Sequence, residues 1–299
     1  MKPLARILAA TDLSAPGHHA VDRGFRIAAE TGAEYAVMHA FELDAVDSLA
    51  GLLGDGVAAV KRRLEDDARE ALRQMLEDSR RNQGIAAAGM LVAGSPLEAI
   101  GERADAIGAD LLVVGARGES FLRHALLGST ASRLLRKSIR RPVLVVKQAP
   151  HEPYRRLLIP VDFSRSAQEA IRLGRSIAPQ ADIVLLHAFE LPFEGKLVFA
   201  GVDEEVIHGY IRKAREEGVQ RVHELARGVG LEPVQYSAIV RHGDPSQQII
   251  AEEQAGDCDL IVMGKHGAHL AEELLLGSVT KHVLDESQCD VLVFSGKAG

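Results

Sequence analysis

The sequence predicts an α/β fold written twice: two tandem, doubly wound parallel sheets of five strands each, in the order 3-2-1-4-5. The first observation behind this is a repeat. "RILAATDLSAPGHHAVDRGFRIAAETGAEYAVMHAFEL" (6–43) and "RLLIPVDFSRSAQEAIRLGRSIAPQADIVLLHAFEL" (156–191) pair Asp12 with Asp162, Ser14 with Ser164 and His39 with His187. Gly94 likewise matches Gly243, so the period is roughly 149 residues, domain-sized and far longer than a solenoid repeat. The second observation is that each copy alternates short, nearly continuous apolar runs with longer segments of helical periodicity, the pattern of a parallel sheet covered on both faces. The third is a glycine spacing. Gly115, Gly118, Gly128 and Ser129 in "VVGARGESFLRHALLGST" recur as Gly264, Gly267, Gly277 and Ser278 in "VMGKHGAHLAEELLLGSVT".

The elements of the first copy follow in order. Residues 4–10 are a short apolar run, 16–31 carry helical periodicity, and 34–40 are apolar again. A long charged helix is predicted at about 57–83, a strand at 85–92, and a helix opened by "SPLEAI" (95–100). The strand "DLLVVG" (110–115), a helix from about 128 and the strand "PVLVVK" (142–147) complete the unit. The second copy repeats the series, with Asp244 and Pro245 placed as N-cap and first helical residue of "DPSQQIIAEEQ". The two prolines of "KQAPHEPYR" (147–155) suit a linker, giving domains at 1–148 and 154–299.

Composition narrows the function classes. With 299 residues, 46% hydrophobic and 26% charged, the chain has enough apolar material for two cores without disulfides or metals. A net charge of −7 and the lack of a basic, aromatic-studded stripe argue against nucleic acid as a partner. The two cysteines, Cys258 and Cys289, lack zinc or redox spacing and read as packed thiols. "MKPLARILAATD" is interrupted by Arg6 and too short for a signal segment, and no apolar run approaches a bilayer span, so no membrane association and a cytoplasmic location are expected.

In the order 3-2-1-4-5, strands 1 and 4 connect outward in opposite directions, and ligands bind in the crevice at their carboxyl ends. Asp12 and Asp162 end strand 1, and the glycine motifs begin where strand 4 ends. Glycines let the main chain pass close beneath a ligand, and the start of the following helix offers N–H groups and a favourable dipole to an anion. The alternative is that the glycines only turn the chain and Ser129 only caps a helix.

With these motifs in place, the sequence resembles the universal stress protein family in its tandem, two-domain form. The resemblance covers nearly the whole chain through Gly-x2-Gly-x9-Gly-Ser in both halves, "ATDLS" and "IPVDFS", "VMHAFEL" and "LLHAFEL", and the closing "PVLVVK" and "DVLVFS". It implies a Rossmann-like sheet holding ATP, or AMP or ADP, with Mg2+ as an accompanying ion, and pairing of domains through their last strands into an intramolecular pseudo-dimer. Further pairing into a homodimer and the protein partner are left open. By motif, Thr11 with Asp12 and Val161 with Asp162 would lie near the adenosine, and the main chain at Ala40 and Ala188 near the adenine. Gly115, Gly118, Gly128, Ser129 and Thr130 would hold ribose and phosphates in the first half, as Gly264, Gly267, Gly277, Ser278 and Val279 would in the second. Two departures stand out: Ala10 faces Pro160 in the alignment, and the inserts carry Arg117, Arg123 and His124 in one half but Glu272 and Glu273 in the other. The first site is therefore expected to bind ATP better than the second.

Other residues carry blander expectations. His18, His19, His266 and His269 read as solvated or capping groups rather than a metal site, and His39 and His187 as structural hydrogen-bonding groups at the end of strand 2. The charged segments 61–81 and 203–227 read as solvated helix faces. Asp44, Asp47 and the small apolar stretch 50–60 suggest a flap, and its counterpart 192–201 suggests core packing against the neighbouring domain, with docking of a lipid or protein as the alternative. No Walker A motif and no Gly-x-Ser-x-Gly elbow occurs, so no catalytic residue is assigned and any ATP hydrolysis is expected to be weak. The expected role is a nucleotide-dependent stress-response or signalling protein, with a partner-binding module lacking active sites, or a slow ATPase or adenylate enzyme, as alternatives.

Overall fold

The computed structural model describes residues 3–42, 56–118, 127–136, 141–267 and 276–295. It divides into two units, Met1–Pro153 and Tyr154–Gly299. In the first, the elements run β1 (Arg6–Thr11), α1 (Ala15–Thr31), β2 (Glu34–Phe41), α2 (Val57–Glu77), β3 (Ala87–Ala93), α3 (Pro96–Ile107), β4 (Leu111–Gly115), α4 (Ser129–Arg136) and β5 (Val143–Val146). All pairings are parallel, in the order β3-β2-β1-β4-β5, with Ile7 opposite both Tyr35 and Leu111.

The second unit comprises β6 (Arg156–Pro160), α5 (Arg165–Ile177), β7 (Asp182–Phe189), α6 (Glu194–Phe199), α7 (Glu204–Gly228), β8 (Tyr236–His242), α8 (Pro245–Ala255), β9 (Leu260–Gly264), α9 (Ser278–Glu286) and β10 (Asp290–Phe294). Its order β8-β7-β6-β9-β10 is the same winding. The predicted fold class is therefore the observed one.

Each core forms where the apolar strands meet one helix stripe. Ile7, Leu8, Phe25 and Met38 have no exposed surface in the first unit, and Leu157, Leu185, Ile171 and Leu260 none in the second. Phe25 meets Tyr35 edge-on at 4.8 Å between ring centres, and the Tyr35 hydroxyl donates to the Val21 carbonyl at 2.8 Å. Gly24 makes this possible, because a Cβ there would stand 2.3 Å from the Tyr35 oxygen.

Two expectations are corrected. The charged helix predicted to reach residue 83 stops at Glu77, because the Asp78 carboxylate accepts the Arg80 N–H at 3.0 Å and its backbone becomes extended. Such local side-chain bonds compete with helix continuation. The stretch 192–201, expected to pack in a core, instead carries the short helix α6, with Phe193 70%, Val198 61% and Phe199 95% exposed. Asp44, Asp47 and residues 50–55 of the expected flap lie outside the described residues.

Candidate functional site

Both units open a cavity at the carboxyl ends of their first and fourth strands. In the first unit the site begins at β1, whose last residue Thr11 accepts the Leu13 N–H on its hydroxyl at 3.0 Å. Asp12 then accepts the Ser14 N–H at 3.1 Å, and Ser14 caps α1 by accepting the Gly17 N–H at 3.3 Å. The second unit repeats this with Asp162 accepting from Ser164 N at 3.0 Å and Ser164 capping α5 at 3.4 Å. Between carboxylate and cap, Leu13 and Phe163 both adopt φ +63°, left-handed backbone that such side chains rarely take. The same strained residue in both copies fixes where the preceding carboxylate points.

His39 and His187 fasten this turn from the neighbouring strand. Their Nδ1 atoms donate to the carbonyls of Thr11 and Val161, each at 2.9 Å, the structural role expected of them. A carbonyl only accepts, so Nδ1 carries the proton. Burial pushes the His187 imidazole below its ordinary value, opposed by the Val161 bond. Side chains alternate along β7, so His187 and Phe189 face away from the cavity that Leu186 and Ala188 line. On that far face Phe163 lies 4.3 Å from the His187 ring, and the Arg221 guanidinium stands 3.9 Å from the centre of the Phe163 ring.

The motif glycines form the opposite wall. A Cβ on Gly115 would stand 2.9 Å from the Pro16 carbonyl oxygen, and one on Gly118 2.6 Å from Asp12 Oδ2. A Cβ on Gly128 would lie 3.2 Å from the Ala116 oxygen, and one on Gly277 3.3 Å from that of Lys265. None of the six motif glycines has positive φ. Gly115, Gly128, Gly264 and Gly277 are set by close approach of main-chain oxygens and Gly118 by the Asp12 carboxylate, whereas a Cβ on Gly267 would make only an ordinary contact with Asp162 Oδ2; left-handed turns play no part. The ends of each nine-residue insert are stapled together, Gly128 N–H to Ala116 carbonyl at 2.7 Å and Gly277 N–H to Lys265 carbonyl at 3.0 Å. Ser129 and Ser278 are then the first residues of α4 and α9, not caps; Gly277 occupies the cap of α9 without a side-chain bond.

The resulting cavities measure about 280 Å3 and 370 Å3. Thr11, Asp12, Ala40, Gly115, Gly118, Gly128, Ser129 and Thr130 all line the first. Val161, Asp162, Ala188, Gly264, Gly267, Gly277, Ser278 and Val279 all line the second. Sequence reasoning missed the apolar walls, Pro96, Ile100 and Val114 in one unit and Pro245, Ile249 and Met263 in the other. The signal was the isoleucine four residues after each helix-opening proline.

Among the described residues no three His, Cys, Asp or Glu side chains gather as a metal site, and no helix is long and apolar enough to cross a membrane. His18 accepts from Arg81 at 3.3 Å, and burial lowers its pKa. Arg123, His124, His269, Glu272 and Glu273 lie outside the described residues. Arg117 and His266 line the two cavities from matching positions.

Two doubly wound parallel sheets, each with a glycine-walled cavity at the switch point, define a tandem α/β protein with paired small-molecule-sized clefts. The model of the universal stress protein family matches residues 4–147 and again 153–295, so the chain belongs to that family. A universal stress protein of Methanocaldococcus jannaschii is 28% identical over 156 residues, spanning 48% of this chain and 96% of its own. One from Bacillus subtilis is 29% identical over 145 residues, 47% of this chain and 98% of its own. The crystal structure of a universal stress protein from Archaeoglobus fulgidus shares the fold, with a TM-score of 0.61 at 20% identity over 97% of this chain and 98% of that one.

Proposed function

We propose that each unit binds an adenine nucleotide, ATP above all, and that the chain acts as a nucleotide-dependent stress-response protein. The observation that carries this reading is the glycine wall. At Gly115, Gly128, Gly264 and Gly277 a Cβ would crowd carbonyl oxygens at 2.9–3.3 Å, so the backbone itself forms the surface beside each helix start, which in the second unit has no side-chain cap. Backbone N–H groups at a helix N-terminus suit phosphate. The cavity volumes, about 280 Å3 and 370 Å3, lie near the lower end of the roughly 300–1,000 Å3 typical of small-molecule sites.

In this reading the apolar walls, Ile100 with Val114 and Ile249 with Met263, sandwich the adenine, while the main chain at Ala40 and Ala188 recognises its edge. Asp12 and Asp162, held by their serine contacts, meet the ribose. Ser129, Thr130 and Ser278 add hydroxyls beside the phosphates. Mg2+, where it accompanies the nucleotide, would offset phosphate charge. Bound nucleotide then orders the surrounding loops and changes the surface offered to a partner.

Gentle denaturation of the purified chain followed by mass spectrometry of the released small molecules should yield ATP, ADP or AMP. Calorimetric titration of nucleotide-free protein with ATP should show two sites, the first the tighter near neutral pH. Gly128→Val should remove the tighter site and Gly277→Val the weaker. No released nucleotide and no heat of binding would overturn the proposal.

A further inference from the structure

We infer that His266 makes ATP binding in the second cavity depend on protonation, whereas Arg117 keeps the first site independent of it. This rests on the reading that both cavities take a polyphosphate nucleotide. The two side chains leave the main chain from equivalent places. A Cβ on Gly115 would stand 3.1 Å from the Arg117 carbonyl oxygen, and one on Gly264 3.1 Å from that of His266, so the turns Gly115–Gly118 and Gly264–Gly267 follow one path. Both side chains line their cavity beside the glycine wall. A guanidinium stays charged throughout the physiological range, while an imidazole changes charge between about pH 5 and 8.

The second cavity also has fewer neutral groups to take over. Val161 and Val279 stand where the first has the hydroxyls of Thr11 and Thr130. The Thr280 hydroxyl is directed at the Gly264 carbonyl, to which it donates at 3.0 Å. Ser278 and Ser166 remain. The charge on residue 266 therefore decides more of the grip on phosphate than the charge on residue 117 does.

Among the described residues, several other charged groups belong to the elements around the second cavity. Asp162 shares the cavity, and Lys265 is its buried chain neighbour. Asp244, at the start of α8, is influenced by His282 of α9. Arg165 opens α5 on the surface. His187 projects to the opposite face of the sheet and is bonded to the Val161 carbonyl. Ordinary carboxylates, lysines and arginines hold their charge between about pH 6 and 8, which leaves imidazoles as the groups that change. His282, and His269 outside the described residues, are separated from His266 by substitution.

The test is calorimetric titration with ATP of the full chain carrying either Gly128→Val, which leaves the second site, or Gly277→Val, which leaves the first, at about pH 6 and pH 8. ATP takes up protons in this range too, but the first site reports that effect alone, so the ratio of the two pH dependences isolates the protein. The second site should weaken roughly tenfold more than the first between these pH values, the difference between a charged and a neutral hydrogen-bond donor. His266→Arg should remove the excess, and Arg117→His should create it in the first site. Should a valine variant fail to fold, the wild-type chain serves: its two affinities should separate at pH 8 and converge at pH 6. Equal pH dependence at both sites, or an excess that survives His266→Arg, overturns this inference while leaving nucleotide binding intact. Absence of ATP binding at either site at pH 6 overturns the functional reading beneath it.

Discussion

Gly118 and Gly267 occupy the same motif position but not the same space. A Cβ at Gly118 would sit 2.6 Å from Asp12 Oδ2, whereas at Gly267 it would sit 3.4 Å from Asp162 Oδ2, an ordinary contact. Gly118→Ala must swing the Asp12 carboxylate away and strain its bond to the Ser14 N–H; Gly267→Ala need move nothing. We predict that Gly118→Ala lowers ATP affinity at the first site by roughly tenfold, the worth of a displaced charged hydrogen-bonding group, while Gly267→Ala changes the second site by less than about twofold. Gly101→Ala, where a Cβ meets nothing within 4 Å, is the control for helix effects. Equal losses from the two motif substitutions would show that the carboxylate position is not what the glycine protects. The difference is invisible in the sequence, where both motifs read Gly-x2-Gly. A second difference lies beside it at Gly17, whose Cβ would fall 2.6 Å from both the Thr11 hydroxyl and Asp12 Oδ1; the second copy has Ala167 and Val161 in place of Gly17 and Thr11. Two paired changes have altered one wall.

At the scale of elements, helix starts were legible wherever a capping side chain stands in the chain. Asp244 accepts the Gln247 N–H at 3.0 Å and bonds the Ser246 hydroxyl, while its counterpart Ser95 makes no side-chain capping bond to α3. Asp244→Ala should destabilise the second unit by about 1 kcal/mol at neutral pH, and Asp244→Asn by much less, because an amide oxygen caps nearly as well. The Ser246 and Gln247 bonds hold the Asp244 carboxyl below its ordinary value. A depressed folded-state pKa contributes stability above the unfolded value, near pH 4, that is lost as the pH falls through the folded one. The wild-type advantage over Asp244→Ala should therefore shrink below about pH 4 in denaturant titrations, and an advantage that grows there would refute the assignment. Strands, winding order and cavity position were also legible, since apolar runs and the repeat determine them. Less legible were the end of α2, where charged periodicity runs on past Asp78 although its carboxylate turns the chain, and the exposed α6, where Phe193 and Phe199 read as core. The repeated isoleucines at 100 and 249 mark a shared position, but that they wall a cavity depends on which strands the helix covers, and local pattern does not carry that.

For the whole molecule, two similar cavities in one chain would, on the proposed reading, make nucleotide a stabiliser of two units that need not respond together. A ligand bound only to the native state adds about 2.7 kcal/mol at a hundredfold excess over its dissociation constant. In a unit of this size that raises the unfolding midpoint by several degrees, roughly 5–10 °C. At about pH 8 and an ATP concentration saturating only the tighter site, calorimetric unfolding should show the heat of one unit moving upward while the other stays. Lowering the pH to about 6 should bring the second upward as well, relative to nucleotide-free protein at the same pH, since burial of His187 makes that unit less stable on acidification by itself. The comparison at fixed pH removes that intrinsic loss. Gly277→Val should abolish the second unit's shift at about pH 6 and leave the first unit's shift in place at both pH values. If both units instead shift equally at every pH, the cavities are equivalent in practice, and the differences at residues 117/266, 11/161 and 130/279 are without consequence for binding.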